Sequence, residues 1–117
     1  MVSLPPPMPP ASLTQPAFHI LLALAEGDLH GLGIADRVEA LTAGAVDLGP
    51  GTLYRSLKEL VESGLIREAR APEADADPRR RYYAITGAGR KAVAAEAARL
   101  ERVVQAARDR KLLPERA

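Results

Sequence analysis

The residues best equipped for chemistry fall in two short stretches of the 117-residue chain. The first is Gly51-Thr52-Leu53-Tyr54-Arg55-Ser56-Leu57-Lys58-Glu59-Leu60. Its polar members Thr52, Arg55, Ser56 and Glu59 recur at i, i+3, i+4, i+7, the spacing of one helical face, with Tyr54, Lys58 and Glu62 beside them. The second is Asp77-Pro78-Arg79-Arg80-Arg81-Tyr82-Tyr83. Hydroxyls, guanidinium groups and an ammonium in these patterns suit hydrogen bonding to anions and base edges rather than bond breaking. No nucleophile–base pairing, phosphate-cradling Gly loop or carboxylate pair recommends an enzyme. There is no Cys, which excludes disulfides and thiolate metal sites. His19 and His30 are too few and too far apart for a metal site, and each reads as a structural His. No metal and no cofactor is therefore expected.

The charge distribution agrees with an anionic partner. The net charge is only +1. Residues 1–48 nevertheless hold one base and five acids, whereas residues 49–117 hold 15 bases and 10 acids. From Pro78 to Lys91 there are five bases and no acid. Such a local basic stretch can form an electrostatic footprint for phosphates even in a near-neutral chain, and from charge alone a solvated surface is an equally open reading. No apolar run approaches the roughly 20 residues of a membrane span, and the N-terminus lacks the pattern of a signal peptide. A cytoplasmic protein without membrane contact is expected.

Helices must position these groups. With aromatic residues at 3%, the core has to be built from Leu, Ile, Val and Ala. Residues 1–12 carry Pro5, Pro6, Pro7, Pro9 and Pro10 and read as an extended, disordered leader. Thr14 is a good N-cap for a first helix from Gln15 to about Glu26, apolar nearly all round. His30-Gly31 lies in a turn before a second helix, about Leu32 to Leu41. Pro50 opens a third, with Leu53, Leu57 and Leu60 inward and Gly64 as its stop. Leu65–Ala71 and Arg80–Ile85 read as two strands of a hairpin joined by a loop holding Glu73, Asp75 and Asp77. Three helices and a hairpin are the order of a winged helix-turn-helix domain, here over residues 13–86.

Thr86 can cap a last helix from about Gly87 to Lys111, assigned to residues 87–112 with a tail over 113–117. Val93, Ala97, Leu100, Val104 and Ala107 follow a 4-3-4-3 spacing, an a/d seam rather than a broad core face. A helix this long exceeds what so small a core needs, so the seam is expected to be a homodimer interface. The fold class is thus mainly α with a small β-hairpin: a winged helix-turn-helix plus a long C-terminal dimerisation helix.

The phrases Gly51–Leu60 with Gly64-Leu65-Ile66, and Asp77–Thr86 with Ala88-Gly89-Arg90, resemble the recognition helix and wing of the PadR family of transcriptional regulators. The resemblance covers roughly Leu13 to Lys111 and points to the short subfamily with one C-terminal helix. Gly87 departs from it, standing where the family commonly has Pro, and the wing tip is acidic. The resemblance implies a repressor whose dimer leaves its operator when a small molecule binds. This chain has no Trp and one Phe, Phe18, so aromatic sandwiching of an effector is disfavoured. Aliphatic groups of the first and last helices would line any pocket.

In a helix-turn-helix domain the third helix enters the major groove of double-stranded DNA. Thr52 and Ser56 are short enough for close approach, and the amides near Gly51 suit a phosphate. Arg55 suits a guanine edge or a phosphate. Tyr54 and Lys58 suit the backbone, with a half-buried core role equally open to Tyr54. Strand alternation means that the three arginines cannot all face one way, which selects Arg79 and Arg81. Glu59 on this face opposes phosphate. Glu59, Glu62 and the acidic wing tip leave a protein-interaction module without specific DNA binding as the alternative, and a ligand sensor without DNA affinity as a third reading.

Overall fold

A computed structural model of the chain describes residues 13–75, 77 and 79–115. The Pro-rich leader expected over residues 1–12 lies outside the described residues. The elements in chain order are α1 (Gln15–Leu24), β1 (Leu29–His30), α2 (Gly31–Leu41), α3 (Pro50–Glu62), β2 (Ile66–Ala69), β3 (Tyr82–Ile85) and α4 (Gly87–Asp109). Three helices, an antiparallel hairpin and a long last helix appear in the order the sequence predicts.

The caps explain the boundaries. Thr14 Oγ1 accepts from the Ala17 amide at 3.2 Å, and Pro16 occupies a first-turn position that needs no donor. Gly64, at φ +76°, ends α3: the Leu65 amide donates to the Leu60 carbonyl and the Gly64 amide to Val61, both at 3.0 Å. This pair of bonds is the Schellman arrangement, which requires a left-handed residue where Gly stands. Thr86 caps α4 by accepting from the Gly89 amide at 3.0 Å, and its hydroxyl donates to the Gly64 carbonyl at 2.7 Å. One threonine thereby ties the start of α4 to the end of α3.

Ile20, Leu21 and Leu24 of α1 are fully buried, and Ile34, Val38, Leu53, Leu57, Leu60 and Ile66 close around them. α1 is the central helix, packed by α2, α3 and α4, as its apolar circumference requires. The β-structure differs from a simple hairpin. β1 adds a third strand, in the order β1-β3-β2, with Leu29 opposite Tyr83 and His30 opposite Tyr82. β2 pairs with β3 from Ile66↔Ile85 to Ala69↔Tyr82.

The stretch read as a turn at His30-Gly31 is therefore a strand end and a helix start. His30 Nδ1 accepts from the Gly33 amide at 3.1 Å and caps α2. An accepting Nδ1 places the ring proton on Nε2. The ring meets Tyr82 edge-on, with centroids 5.4 Å apart.

Candidate nucleic-acid interface

At about 100° per residue, the buried members of α3 fix which face is outward. Leu53, Ser56, Leu57 and Leu60 are buried. Ser56 falls between Leu53 and Leu60 on that inward stripe and is 7% exposed. The expected outward position of Ser56 is thus not where the structure puts it. The outward face is rotated by about one residue, onto Gly51, Tyr54, Arg55, Lys58 and Glu62, all exposed. Thr52 is half-buried at its edge, and Glu59 is displaced to its flank. Arg55 and Lys58 are in no ion pair among the described residues. Tyr54 is 59% exposed and belongs to the surface rather than the core. It also reaches α2: a Cβ on Gly31 would sit 3.6 Å from its ring and hydroxyl.

The wing faces α3 across two concavities. One, of about 380 Å³, lies between His30, Gly31 and Leu32 at the start of α2, Tyr54, and the arginines of the wing. The other, of about 310 Å³, lies between Tyr54, Lys58 and Val61 of α3 and Glu68, Arg81 and Tyr83 of the sheet. Tyr54 is the partition. The contribution of His30, Gly31 and Leu32 was not visible in the sequence, because it depends on the two-residue strand that carries α2 to the wing.

The three arginines divide. The Arg79 side chain is 90% exposed and that of Arg81 75%, against 44% for Arg80. Arg80 turns to Asp75 at 3.7 Å and Asp77 at 4.0 Å. Arg79 Nε reaches Asp77 at 3.4 Å, and Arg81 reaches Glu68 on the neighbouring strand at 3.3 Å. Exposed pairs of this kind contribute little and exchange readily for another anion. Asp75 is the centre of the loop. Its carboxylate accepts from the Tyr82 hydroxyl at 2.6 Å and from the Asp77 amide at 3.0 Å. The Tyr82 hydrogen bond, then the Asp77 amide, hold the Asp75 carboxyl below its usual range, and the same bond to Asp75 raises the Tyr82 phenol. Two acids of the wing tip are thus engaged inside the loop instead of forming an outward acidic patch.

The sequence matches the Transcriptional regulator PadR-like family over residues 20–95. The chain belongs to the PadR-like family. A transcriptional regulator from Clostridium thermocellum is similar to it at 27% identity and TM-score 0.66, covering 80% of this chain and 89% of that one. A PadR family transcription regulator from Clostridium difficile shares the fold at 22% identity and TM-score 0.70, over 82% of this chain and 97% of that one. RosR from H. salinarum is similar at 28% identity and TM-score 0.58, over 88% and 98%. No curated protein matches the chain. The winged helix fold and the family expected from the two sequence phrases are both confirmed.

Within this PadR-like chain, α4 divides its inward stripe. Gly89, Val93 and Glu96 are buried. Val93 belongs to the domain's own core, and Ala97 is exposed on the flank. The stripe runs Gly89, Val93, Glu96, Leu100, Val103, Ala107, a 4-3-4-3-4 spacing, and crosses from buried to uncovered near Leu100. Val103 is 53% and Val104 37% exposed. Glu96 is held by Arg99 through bonds of 2.7 and 2.9 Å. No helix among the described residues is long and apolar enough to cross a membrane, and no group of three or more His, Cys, Asp or Glu there is arranged to hold a metal.

Proposed function

We propose that this PadR-like regulator binds operator DNA sequence-specifically as a homodimer and represses transcription until a small molecule releases it. The observation that carries the reading is the pairing of an outward α3 face bearing Arg55 and Lys58 with a wing that exposes Arg79 and Arg81. α3 suits the major groove, with Arg55 on a base edge or phosphate and Thr52, Tyr54, Lys58 and the amides near Gly51 on the backbone. Ser56 supports packing rather than contact. Arg79 and Arg81 suit the phosphates beside the groove.

The uncovered second half of α4 supports the homodimer. Leu100, Val103, Val104 and Ala107 form one apolar strip beyond the core, and a second copy can cover it. Two recognition helices would then enter successive major grooves about 34 Å apart and read a pseudo-palindrome. Effector release is assigned to α1 and α4, which pack against each other.

The test is binding to the promoter of the protein's own gene at two salt concentrations, against a scrambled duplex. Specific retention that weakens steeply with salt is expected. Arg55→Ala and Arg79→Ala should each weaken it and lower the salt slope by ~1 per lost phosphate contact. Equal binding to the scrambled duplex by a folded dimer would favour the protein-interaction alternative. Unchanged affinity and slope in both variants would remove these arginines from the interface.

A further inference from the structure

The run Arg79-Arg80-Arg81 cannot present three side chains to one surface, and the structure contains a device that sorts them. Asp75 is the most buried charged side chain of the wing ion pairs, at 6% exposure. Three groups converge on it. From β3, the Tyr82 hydroxyl donates at 2.6 Å. From the loop, the Asp77 amide donates at 3.0 Å. Asp77 in turn accepts from the Arg79 amide at 2.9 Å, which fixes the backbone from which the Arg79 side chain projects. Arg80 supplies the third partner at 3.7 Å. Tyr82 itself is held from the other side by His30, edge-on at 5.4 Å, and through it by the first turn of α2.

We propose that Tyr82 is a positioning residue for DNA binding: through Asp75 it locks the wing loop in the form that turns Arg79 and Arg81 outward, while the charge of Asp75 retains Arg80. The inference rests on the DNA-binding reading above and names its regulation at the wing. The physical reasoning is preorganisation. A loop that is already ordered loses less freedom on binding than a mobile one. The carboxylate also competes with phosphate for Arg80, so the lock limits how many cations the wing offers to any DNA. It exchanges indiscriminate affinity for a fixed geometry.

Two substitutions separate these effects. Tyr82→Phe keeps the ring against His30 and the charge on Asp75, but removes the donor. Asp75→Asn keeps an acceptor for Tyr82 and removes the charge that retains Arg80. For Tyr82→Phe, binding to the specific duplex should weaken about five-fold, the worth of one hydrogen bond. Binding to scrambled DNA and the salt slope should stay as in the wild type. For Asp75→Asn, scrambled DNA should bind more tightly and the salt slope should steepen by ~1, because one more arginine reaches phosphate. Hydrogen exchange at the Asp77 and Arg79 amides reads the lock without DNA and should accelerate in Tyr82→Phe.

Wild-type exchange at those amides in a folded Tyr82→Phe variant would overturn the lock. Faster exchange with an unchanged ratio of specific to non-specific binding would overturn its role in recognition. An Asp75→Asn slope equal to wild type would overturn the retention of Arg80. A wild-type chain that binds no duplex would overturn the DNA-binding reading itself, while the exchange measurement would still decide whether the lock exists.

Discussion

Two glycines in the first turn of α4 should respond to the same substitution with opposite signs. Gly87 has nothing within 4 Å of where a Cβ would stand. Gly89 is buried, and its Cβ would run into the Leu65 carbonyl oxygen and lie 2.8 Å from Ile85 Cγ1. That carbonyl already accepts from the Thr86 amide at 3.1 Å, and Thr86 caps the same turn. In open space Gly→Ala stabilises by about 0.4–1 kcal/mol, by restricting the unfolded chain. At Gly89 this gain is opposed by overpacking of about 1–3 kcal/mol and by strain on a hydrogen bond worth about 1 kcal/mol. The contact is with backbone, which cannot swing aside, so the upper part of the range applies. Gly89→Ala should cost a net of about 2–3.5 kcal/mol, and Gly87→Ala should gain up to about 1 kcal/mol. In a domain of this size 1 kcal/mol moves Tm by about 4–8 °C. Urea and thermal melts of both variants beside the wild type are sufficient. A Gly89→Ala variant as stable as Gly87→Ala would refute the close approach of α4 to the α3–β2 corner.

Three further expectations follow from the same contacts. His30→Ala should lose about 1 kcal/mol of stability with the α2 cap, and His30→Asn should keep most of it; equal urea midpoints for Ala and Asn would show that the cap is idle. Leu100→Asp or Val104→Asp should give monomers at micromolar concentration in sedimentation, because a charge in the packed strip would lack a partner; a variant that stays dimeric would place the interface elsewhere. Asp75 is lowered from 3.8, first by the Tyr82 hydrogen bond, and Glu96 from 4.5, first by the Arg99 hydrogen bond. Depressed carboxylates stabilise fully above their unfolded values, and that stability disappears as pH falls through the lower folded values, so Tm should drop below about pH 4. Glu96→Gln should flatten that drop, and an unaltered acid profile would refute the Glu96 contribution.

Much of the domain could be read from local signals. Thr14, Pro50, Gly64 and Thr86 each mark a helix boundary because capping needs a particular group at a particular offset. What escaped depends on distance in the chain or on side-chain context. β1 is two residues long and exists only by pairing with β3, more than 50 residues later. Ser56 looked outward because it is polar, but Leu53, Leu57 and Leu60 place its position inward whatever its type. On α4 the apolar 4-3-4-3 spacing placed Ala97 in the seam, whereas the structure turns Glu96 inward, where Arg99 satisfies its carboxylate. The wing acids were counted as a surface property, because composition cannot show that Asp75 is spent on Tyr82 and Asp77.

The two halves of α4 connect these observations to recognition. Its stripe keeps one spacing from Gly89 to Ala107 yet changes from buried to uncovered near Leu100. The first half is fixed to α3 through Thr86, whose hydroxyl donates to the Gly64 carbonyl at the end of that helix. If a second copy covers the other half, the direction in which α4 leaves that junction sets the separation of the two α3 helices. Gly89 is the residue that allows the close approach. A Gly89→Ala chain that still folds should therefore alter the preferred spacing of operator half-sites, whereas Gly87→Ala should not. Binding to duplexes with half-sites moved by single base pairs measures this directly. An unchanged spacing optimum in a dimeric Gly89→Ala variant would uncouple α4 from the placement of the recognition helices.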